Sequence, residues 1–250
     1  MQTALDEHSP SGTGTIGVSG MLAEQLAKEL GAGAAPGAVI SHDASRIPIA
    51  DVLVRIIAGE PSEEDEALVR AADRRGAPVV VVQLWPQADW KPPFVLSPFV
   101  IECRAGQGFP LGEIADRIFE ASEHGPLLGT RIPVLKNAIS KGIVRRAVLR
   151  SGALGVLSSG KGATRPLLTR EQVRMLAQLR ATTTASAVSD GVPAIAAGVG
   201  ATLASGFVLR GAARMAREVL PAPVANAAVA AGGTWVLAKA LRVLEARRPS

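Results

Sequence analysis

The chain of 250 residues has few of the side chains that build metal and redox sites. Its single cysteine, Cys103, excludes a disulfide scaffold and the zinc or iron–sulfur frameworks that need several cysteines. Its three histidines, His8, His42 and His124, lie far apart and lack the spacing of paired metal ligands. The sequence therefore predicts no metal site.

Aromatic residues are also scarce, since tyrosine is absent and phenylalanine and tryptophan make up only 3% of the chain. Proteins that bind single-stranded nucleic acid stack bases on such side chains, so this class is disfavoured. The first residues are acidic and lack an apolar core, which predicts no signal peptide and a disordered segment over 1–11. The 48% hydrophobic content of the whole chain indicates a folded protein.

The net charge of +5 is divided between two halves of opposite sign. Residues 1–127 hold 18 acidic and 9 basic side chains, whereas residues 128–250 hold 4 acidic and 18 basic ones. Such a division favours two modules with different partners. The basic half has the charge to meet an anionic membrane, a nucleic acid or the acidic half. It shows no motif that reads a nucleic acid, which disfavours that partner.

Strand and helix patterns alternate in the first half. Strands are predicted over 13–18, 37–40, 50–58, 78–82 and 99–102, and helices over 21–30, 61–75 and 110–120. The four carboxylates of 63–66 suit the first turn of a helix, and we interpret them as solvated capping charges. The alternation predicts an α/β domain with a mostly parallel sheet over residues 12–124.

This order of elements resembles the Era-like GTPase domain over most of residues 13–120. Residues 50–82 are similar to the strand–helix–strand unit before the guanine-recognition loop of that family. Residues 100–114 are similar to its last strand, loop and helix. The resemblance implies a G-domain-like fold for the first half.

The nucleotide-binding residues of that family are replaced in this chain. A phosphate-binding loop reads G-x-x-x-x-G-K-[ST]. Gly12, Gly17 and Ser19 match that pattern, but Val18 stands in the place of the lysine. Residues 83–86 replace the family's Asn-Lys-x-Asp, and residues 104–105 replace its Ser-Ala. We therefore predict a degenerate, non-catalytic domain that binds neither GTP nor GDP and has no cofactor.

A second interpretation of the glycine-rich segment stays open. Gly12, Gly14 and Gly17 satisfy the G-x-G-x-x-G fingerprint of dinucleotide binding, and Asp43 stands roughly where a ribose-binding acid is expected. The fingerprint should follow a strand, yet the residues before Gly12 are polar and include a proline. On this alternative the protein is an oxidoreductase-like enzyme that binds a dinucleotide.

Strand patterns disappear in the second half. A turn is predicted at Gly125-Pro126 and a helix over 132–150. Thr169 and Gln172 have the spacing of a capping box, which predicts that a helix begins there. The sequence thus predicts an all-helical, basic domain rich in alanine and glycine over residues 128–248.

The second half resembles a helical domain of unknown function that follows Era-like GTPase domains and occurs in related bacterial inner-membrane proteins. Residues 166–175 match its Pro-x-Leu-Thr-x-x-Gln-x-x-Met pattern, and residues 206–214 and 231–241 are similar to its remainder. The resemblance brings no established chemistry. It implies a cytoplasmic location, associated with or inserted in the inner membrane. The charge division leads to a separate hypothesis, a non-catalytic adaptor or scaffold whose partner is another protein or a second copy of the chain.

Two uncharged stretches, 191–209 and 219–238, are long enough to cross a hydrocarbon core. Their alanine, glycine and proline content lowers the insertion energy, and a hairpin would export basic residues against the positive-inside preference. A soluble or surface-bound bundle and an integral membrane hairpin therefore both stay open. Four basic residues are candidates for facing a membrane or another anion: Arg210, Arg214, Arg217 and Lys239.

Overall fold

The computed structural model describes residues 12–42, 50–86, 95–157, 165–183 and 221–246. The chain divides into two compact units, Met1–Ile139 and Ser140–Ser250. The segment 1–11, for which the sequence predicts disorder, lies outside the described residues.

A sheet of five parallel strands forms the centre of the first unit. The strands are β1 (Ile16–Gly20), β2 (Val39–His42), β3 (Val52–Ala58), β4 (Val79–Leu84) and β5 (Val100–Cys103). Their spatial order is β2-β1-β3-β4-β5. The strands β1, β3 and β4 are almost wholly buried, which explains their apolar, β-branched sequences. The predicted α/β class is confirmed.

Helices follow three of the strands. The helix α1 (Ala23–Leu30) follows β1, α2 (Glu63–Arg74) follows β3, and α3 (Leu111–Ala121) follows β5. The strand β2 lies on one side of β1, and β3, β4 and β5 lie on the other side. The direction in which strands are added to the sheet therefore reverses between β1 and β3. In open α/β sheets, ligands bind beyond the carboxyl ends of the strands at such a switch point. We therefore distinguish the carboxyl end of this sheet from its amino end.

The turn predicted at Gly125-Pro126 is wrong, because these residues begin a helix, α4 (Gly125–Arg131). Proline is favoured in the first turn of a helix, because the N–H groups of that turn have no acceptor within the helix and the lack of one costs nothing. A 3₁₀ turn at Pro133–Leu135 then leads into α5 (Lys136–Leu157).

The first unit continues beyond residue 124, where the sequence places the end of the α/β domain. Four side chains past that point are fully buried: Leu128, Ile132, Leu135 and Ile139. Arg131 of α4 also donates hydrogen bonds to the backbone oxygens of Thr13 and Pro36. The change to a basic composition does not mark the limit of the compact unit, because the apolar spacing that drives burial continues past it.

The described part of the second unit consists of three helical segments: the remainder of α5, then α6 (Arg165–Thr183) and α7 (Ala222–Ala246). Thr234 of α7 is fully buried between the other two. Its Oγ1 lies 3.0 Å from Oγ of Ser151 on α5 and 3.4 Å from Nε2 of Gln172 on α6. This network satisfies polar groups that would otherwise be buried without partners.

The capping box predicted at Thr169 and Gln172 is wrong, because α6 begins at Arg165 and both residues lie inside it. Pro166 suits the first turn of the helix. The side-chain amide of Gln172 donates a hydrogen bond to Thr234 of α7. The side chain that the sequence pattern predicts to cap α6 thus makes a tertiary contact instead.

Candidate functional site

The glycine-rich segment lies before and inside β1. Gly12 and Gly14 precede the strand, and Gly17 is part of it. Phosphate-binding loops and dinucleotide fingerprints place their glycines in the turn between the first strand and the first helix. That turn here is Met21-Leu22, so neither mechanism has its glycines in place. Asp43, the candidate ribose-binding acid, lies outside the described residues.

The backbone of this segment binds an anion that belongs to the chain itself. The N–H groups of Gly14 and Thr15 donate to Oδ2 of Asp51 at 2.6 and 3.2 Å, and the N–H of Thr13 donates to Oδ1 at 3.2 Å. Successive backbone N–H groups that converge in this way form a nest for an anion. The carboxylate of Asp51 fills this nest and ties the start of β1 to the start of β3.

Two glycines of the segment are explained by close packing on the residues that follow α3. A Cβ atom on Gly12 would overlap the imidazole ring of His124. Gly14 has a φ of +63°, and a Cβ there would lie 2.8 Å from Cδ of Arg131. At the amino end of the sheet, close packing requires residues without a Cβ atom at both positions, and the positive φ of Gly14 also favours glycine.

A row of polar side chains crosses the sheet near its carboxyl end. Ser19 of β1 is in register with His42 of β2 and with Arg55 of β3, so the three side chains lie on one face. Ser19 and Arg55 are almost fully buried. Ser19 Oγ, His42 Nε2 and Arg55 Nη1 have no hydrogen-bond partner among the described residues. Buried polar atoms are rarely left unpaired in folded proteins, so this row is an unusual feature of the fold.

Arg55 is held by a carboxylate from α2. Its Nε donates to Oδ1 of Asp65 at 2.8 Å, and both side chains are buried. Oδ2 of the same carboxylate accepts hydrogen bonds from N–H and Oγ of Ser62, each at 2.9 Å. Burial raises the pKa of Asp65, but the hydrogen bonds from Ser62 and Arg55 outweigh it and hold the pKa below its usual value.

The interpretation of residues 63–66 as solvated capping charges is wrong for Asp65. This carboxylate does cap the helix, but it is buried and paired with Arg55. The one signal of this pair in the sequence is an arginine in the middle of an apolar strand, since a buried cation needs a partner.

The carboxyl end of the sheet carries a pocket of about 190 Å³. Its lining includes Leu22, Trp85, Cys103, Arg104 and Phe109. Leu22 and Trp85 have positive φ angles of 59° and 52°, and they are the two described residues other than glycine with that conformation. Each such residue costs about 1–2 kcal/mol. Both side chains are about half exposed, so the strain holds apolar groups at the rim of the pocket.

The pocket brings together the two segments that the predicted resemblance to the Era-like domain pairs with the guanine-recognition motifs. Trp85 and Pro86 follow β4, and Arg104 and Ala105 follow β5. Trp85, Arg104 and Ala105 line the same pocket. Sequence reasoning identified both segments by the residues they lack, and it missed the apolar rim because Leu22 comes from a third segment.

Cys103 is buried at the base of this region, with Sγ 3.7 Å from the backbone oxygen of Gly108. Within the described ranges, no group of three histidine, cysteine or acidic side chains is arranged to hold a metal ion.

Three of the four basic candidates of the second half, Arg210, Arg214 and Arg217, lie outside the described residues. The fourth, Lys239, is exposed on α7 with Nζ 5.0 Å from the ring centroid of Trp235. Of the helices in the described part of the chain, none combines the length and the apolar character that a membrane span requires.

A comparison with protein-family models gives no match, and searches of curated proteins and of solved structures give none either. The resemblances to the Era-like domain and to the helical domain therefore rest on the motif patterns of the sequence.

Proposed function

We propose that the protein is a non-catalytic adaptor. In this proposal its first unit is a degenerate, nucleotide-free GTPase-like domain that binds a protein partner at the carboxyl end of the sheet. The basic second half forms an all-helical domain that self-associates or docks on an anionic membrane surface. The protein is then cytoplasmic and associates with the inner membrane from that side.

The observation that carries this proposal is the composition of the carboxyl end. The pocket there has a volume of about 190 Å³, whereas pockets for small molecules begin at about 300 Å³. Its rim is formed by the exposed apolar side chains of Leu22 and Trp85. The lysine, asparagine and aspartate that bind phosphate and guanine are absent from the corresponding positions.

An exposed tryptophan beside a small pocket suits the centre of a protein interface. Tryptophan and arginine are enriched among the residues that dominate binding energy, and Trp85 and Arg104 line the pocket together. Met21 and Leu22 add two further exposed apolar side chains after β1. Exposed apolar side chains grouped at one end of the sheet support a binding site there.

The charge division supports the two-part arrangement. The first unit has 18 acidic and 11 basic side chains, and the second has 4 acidic and 16 basic ones. A protein surface of strong positive charge is attracted to anionic lipid headgroups.

The nucleotide-free part of the proposal is tested by calorimetry with GTP and GDP in the presence of magnesium, and with NAD. We expect no binding to the purified full chain. Micromolar, magnesium-dependent binding of GTP contradicts the proposal, and binding of NAD favours the dinucleotide alternative.

The protein-binding part is tested by site-specific photo-crosslinking in cells. A photoreactive phenylalanine analogue replaces Trp85, and the matched control carries it in place of Leu127, which is also exposed but contacts Gly14 at the amino end. We expect an adduct of one defined mass from position 85 and none from position 127. Equal adducts from both positions, or none from position 85, contradict a specific site at the carboxyl end.

The membrane part is tested by washing isolated membranes with high salt and then with carbonate. Release by salt indicates electrostatic attachment, because salt screens surface charge. Resistance to both washes favours the integral membrane alternative. The triple change of Arg210, Arg214 and Arg217 to glutamine should weaken attachment if these side chains face the lipid.

A further inference from the structure

One face of α7 is exposed and mostly apolar, with a lysine at its carboxyl-terminal end. Six residues occupy it at helical spacing: Val224, Ala228, Gly232, Trp235, Val236 and Lys239. Trp235 and Val236 are 51% and 58% exposed. A Cβ atom added to Gly232 would meet nothing within 4 Å, so the space over the middle of the face is open. We call these six residues the α7 stripe.

The opposite face of α7 already has partners. Thr234 is bonded to Ser151 of α5 and Gln172 of α6, and Leu237 and Ala238 beside it are buried. These contacts fix the rotation of the helix about its own axis. The stripe is therefore turned away from α5 and α6 and is available to another surface.

The net charge of the second unit favours one kind of surface as the partner of the stripe. The second unit holds 16 basic and 4 acidic side chains, and the single acidic residue of α7 is Glu245 near its end. Lys239 lies at the carboxyl-terminal end of the stripe with its ammonium over the ring of Trp235. An exposed tryptophan next to a lysine suits the boundary between lipid headgroups and acyl chains.

We infer that the α7 stripe is the surface by which the protein docks on an anionic lipid bilayer. The inference rests on the proposed membrane docking and names its contact face. The sequence alone proposes three arginines between the uncharged stretches together with Lys239, and of these four only Lys239 belongs to the stripe. Trp235 and Val236 enter the headgroup region, and Lys239 pairs with lipid phosphates. The helix lies along the surface, with its buried face kept on α5 and α6.

A second copy of the chain fits this stripe less well. A symmetric interface would bring two units together that each carry a net charge of +12. Like charges across an interface oppose association. An anionic bilayer instead gains from the same charge.

The contact is measured with an environment-sensitive fluorophore on Val236→Cys in the full chain. The natural Cys103 is buried, and wild type treated with the same reagent corrects for any labelling there. Leu149→Cys, at an exposed apolar position of α5, is the matched control. We expect a blue shift at position 236 with vesicles of phosphatidylcholine and phosphatidylglycerol. No shift should occur with phosphatidylcholine alone, or at position 149 with either vesicle.

Sedimentation with the anionic vesicles tests the energetic role of the stripe. Trp235→Ser should weaken binding about tenfold through the loss of apolar burial, whereas Leu149→Ser should bind like wild type. Circular dichroism verifies that both variants keep their helices. Light scattering of wild type without lipid reports the oligomeric state.

The outcomes separate the inference from the proposal on which it rests. Full binding to anionic vesicles with no shift at position 236 and no loss in Trp235→Ser overturns the stripe as the contact and leaves membrane docking in place. No vesicle binding by wild type overturns both. A dimer that Trp235→Ser dissociates overturns the inference in favour of a second copy.

Discussion

Arg55 of β3 and Asp65 of α2 form a buried ion pair, with Nε of the arginine 2.8 Å from Oδ1 of the aspartate. The pair joins the centre of the sheet to the first turn of the helix that covers it. Because the same carboxylate caps α2 through Ser62, one side chain serves tertiary packing and helix initiation together.

The first prediction concerns removal of the cation. Arg55→Met leaves the carboxylate of Asp65 buried without its cation, and should lower the free energy of unfolding of the first unit by about 3–5 kcal/mol. The double variant Arg55→Met, Asp65→Asn removes both charges, keeps an oxygen that can accept hydrogen bonds from Ser62, and should recover part of the loss. Urea unfolding followed by circular dichroism measures both. A double variant less stable than the single one would show that the ion pair is not the source of the effect.

The second prediction concerns pH. The pKa of Asp65 is lower in the folded protein than in the unfolded chain, so its contribution to stability is fully present above the unfolded value of about 3.9. It is lost as the pH falls through the lower, folded pKa. The difference in stability between wild type and Asp65→Asn should therefore be constant near neutral pH and shrink below about pH 4. A difference independent of pH across that range would contradict the shift.

The third prediction concerns the nest at the start of β1. Asp51→Ala leaves three backbone N–H groups without their acceptor and should lower the free energy of unfolding by about 1–3 kcal/mol. Glu60→Ala removes an exposed acidic side chain of the same unit that lies outside any helix, and it serves as the control. Equal small effects of the two changes in urea unfolding would show that the nest contributes nothing.

The fourth prediction concerns the unpaired hydroxyl of Ser19. Its Oγ is fully buried, and no described residue forms a hydrogen bond with it. Ser19→Ala removes a polar group that has lost its contact with water, so stability should stay within about 1 kcal/mol of wild type or rise. Ile16→Ala, at a fully buried apolar position of the same strand, should lose about 2–5 kcal/mol and verifies the sensitivity of the measurement. A loss of that size in Ser19→Ala would indicate a hydrogen bond that the hydroxyl makes in solution.

Local patterns account for the elements of the first unit. The apolar runs at 52–58 and 79–84 and the amphipathic spacing of Leu26 and Leu30 place strands and helices within a few residues of their observed bounds. These signals succeed because side-chain periodicity reports directly on which face is buried. They fail at residues 125–131, where a Gly-Pro pair that is typical of a turn begins a helix.

At the candidate site, sequence motifs predicted the role of the glycines less well than the packing around them does. The glycines that satisfy two nucleotide-binding fingerprints lie before and within β1, and the backbone of Thr13, Gly14 and Thr15 binds Asp51 instead. The sequence could not predict the lining of the pocket, for a different reason. Its rim joins Leu22 and Trp85, two residues far apart in the chain that meet because parallel strands end on the same side of the sheet.

The sequence by itself determined the α/β class, the opposite charge of the two halves and the absence of the lysine and aspartate that nucleotide chemistry needs. The tertiary structure alone decided the strand order, the pairing of Arg55 with Asp65, the side of α7 that stays exposed and the limit of the first unit after Ile139. The physical reason is the separation along the chain of the residues that interact. Periodicity and charge are properties of neighbouring residues, whereas a pocket, a buried ion pair and an exposed helix face depend on which distant segments exclude water from one another.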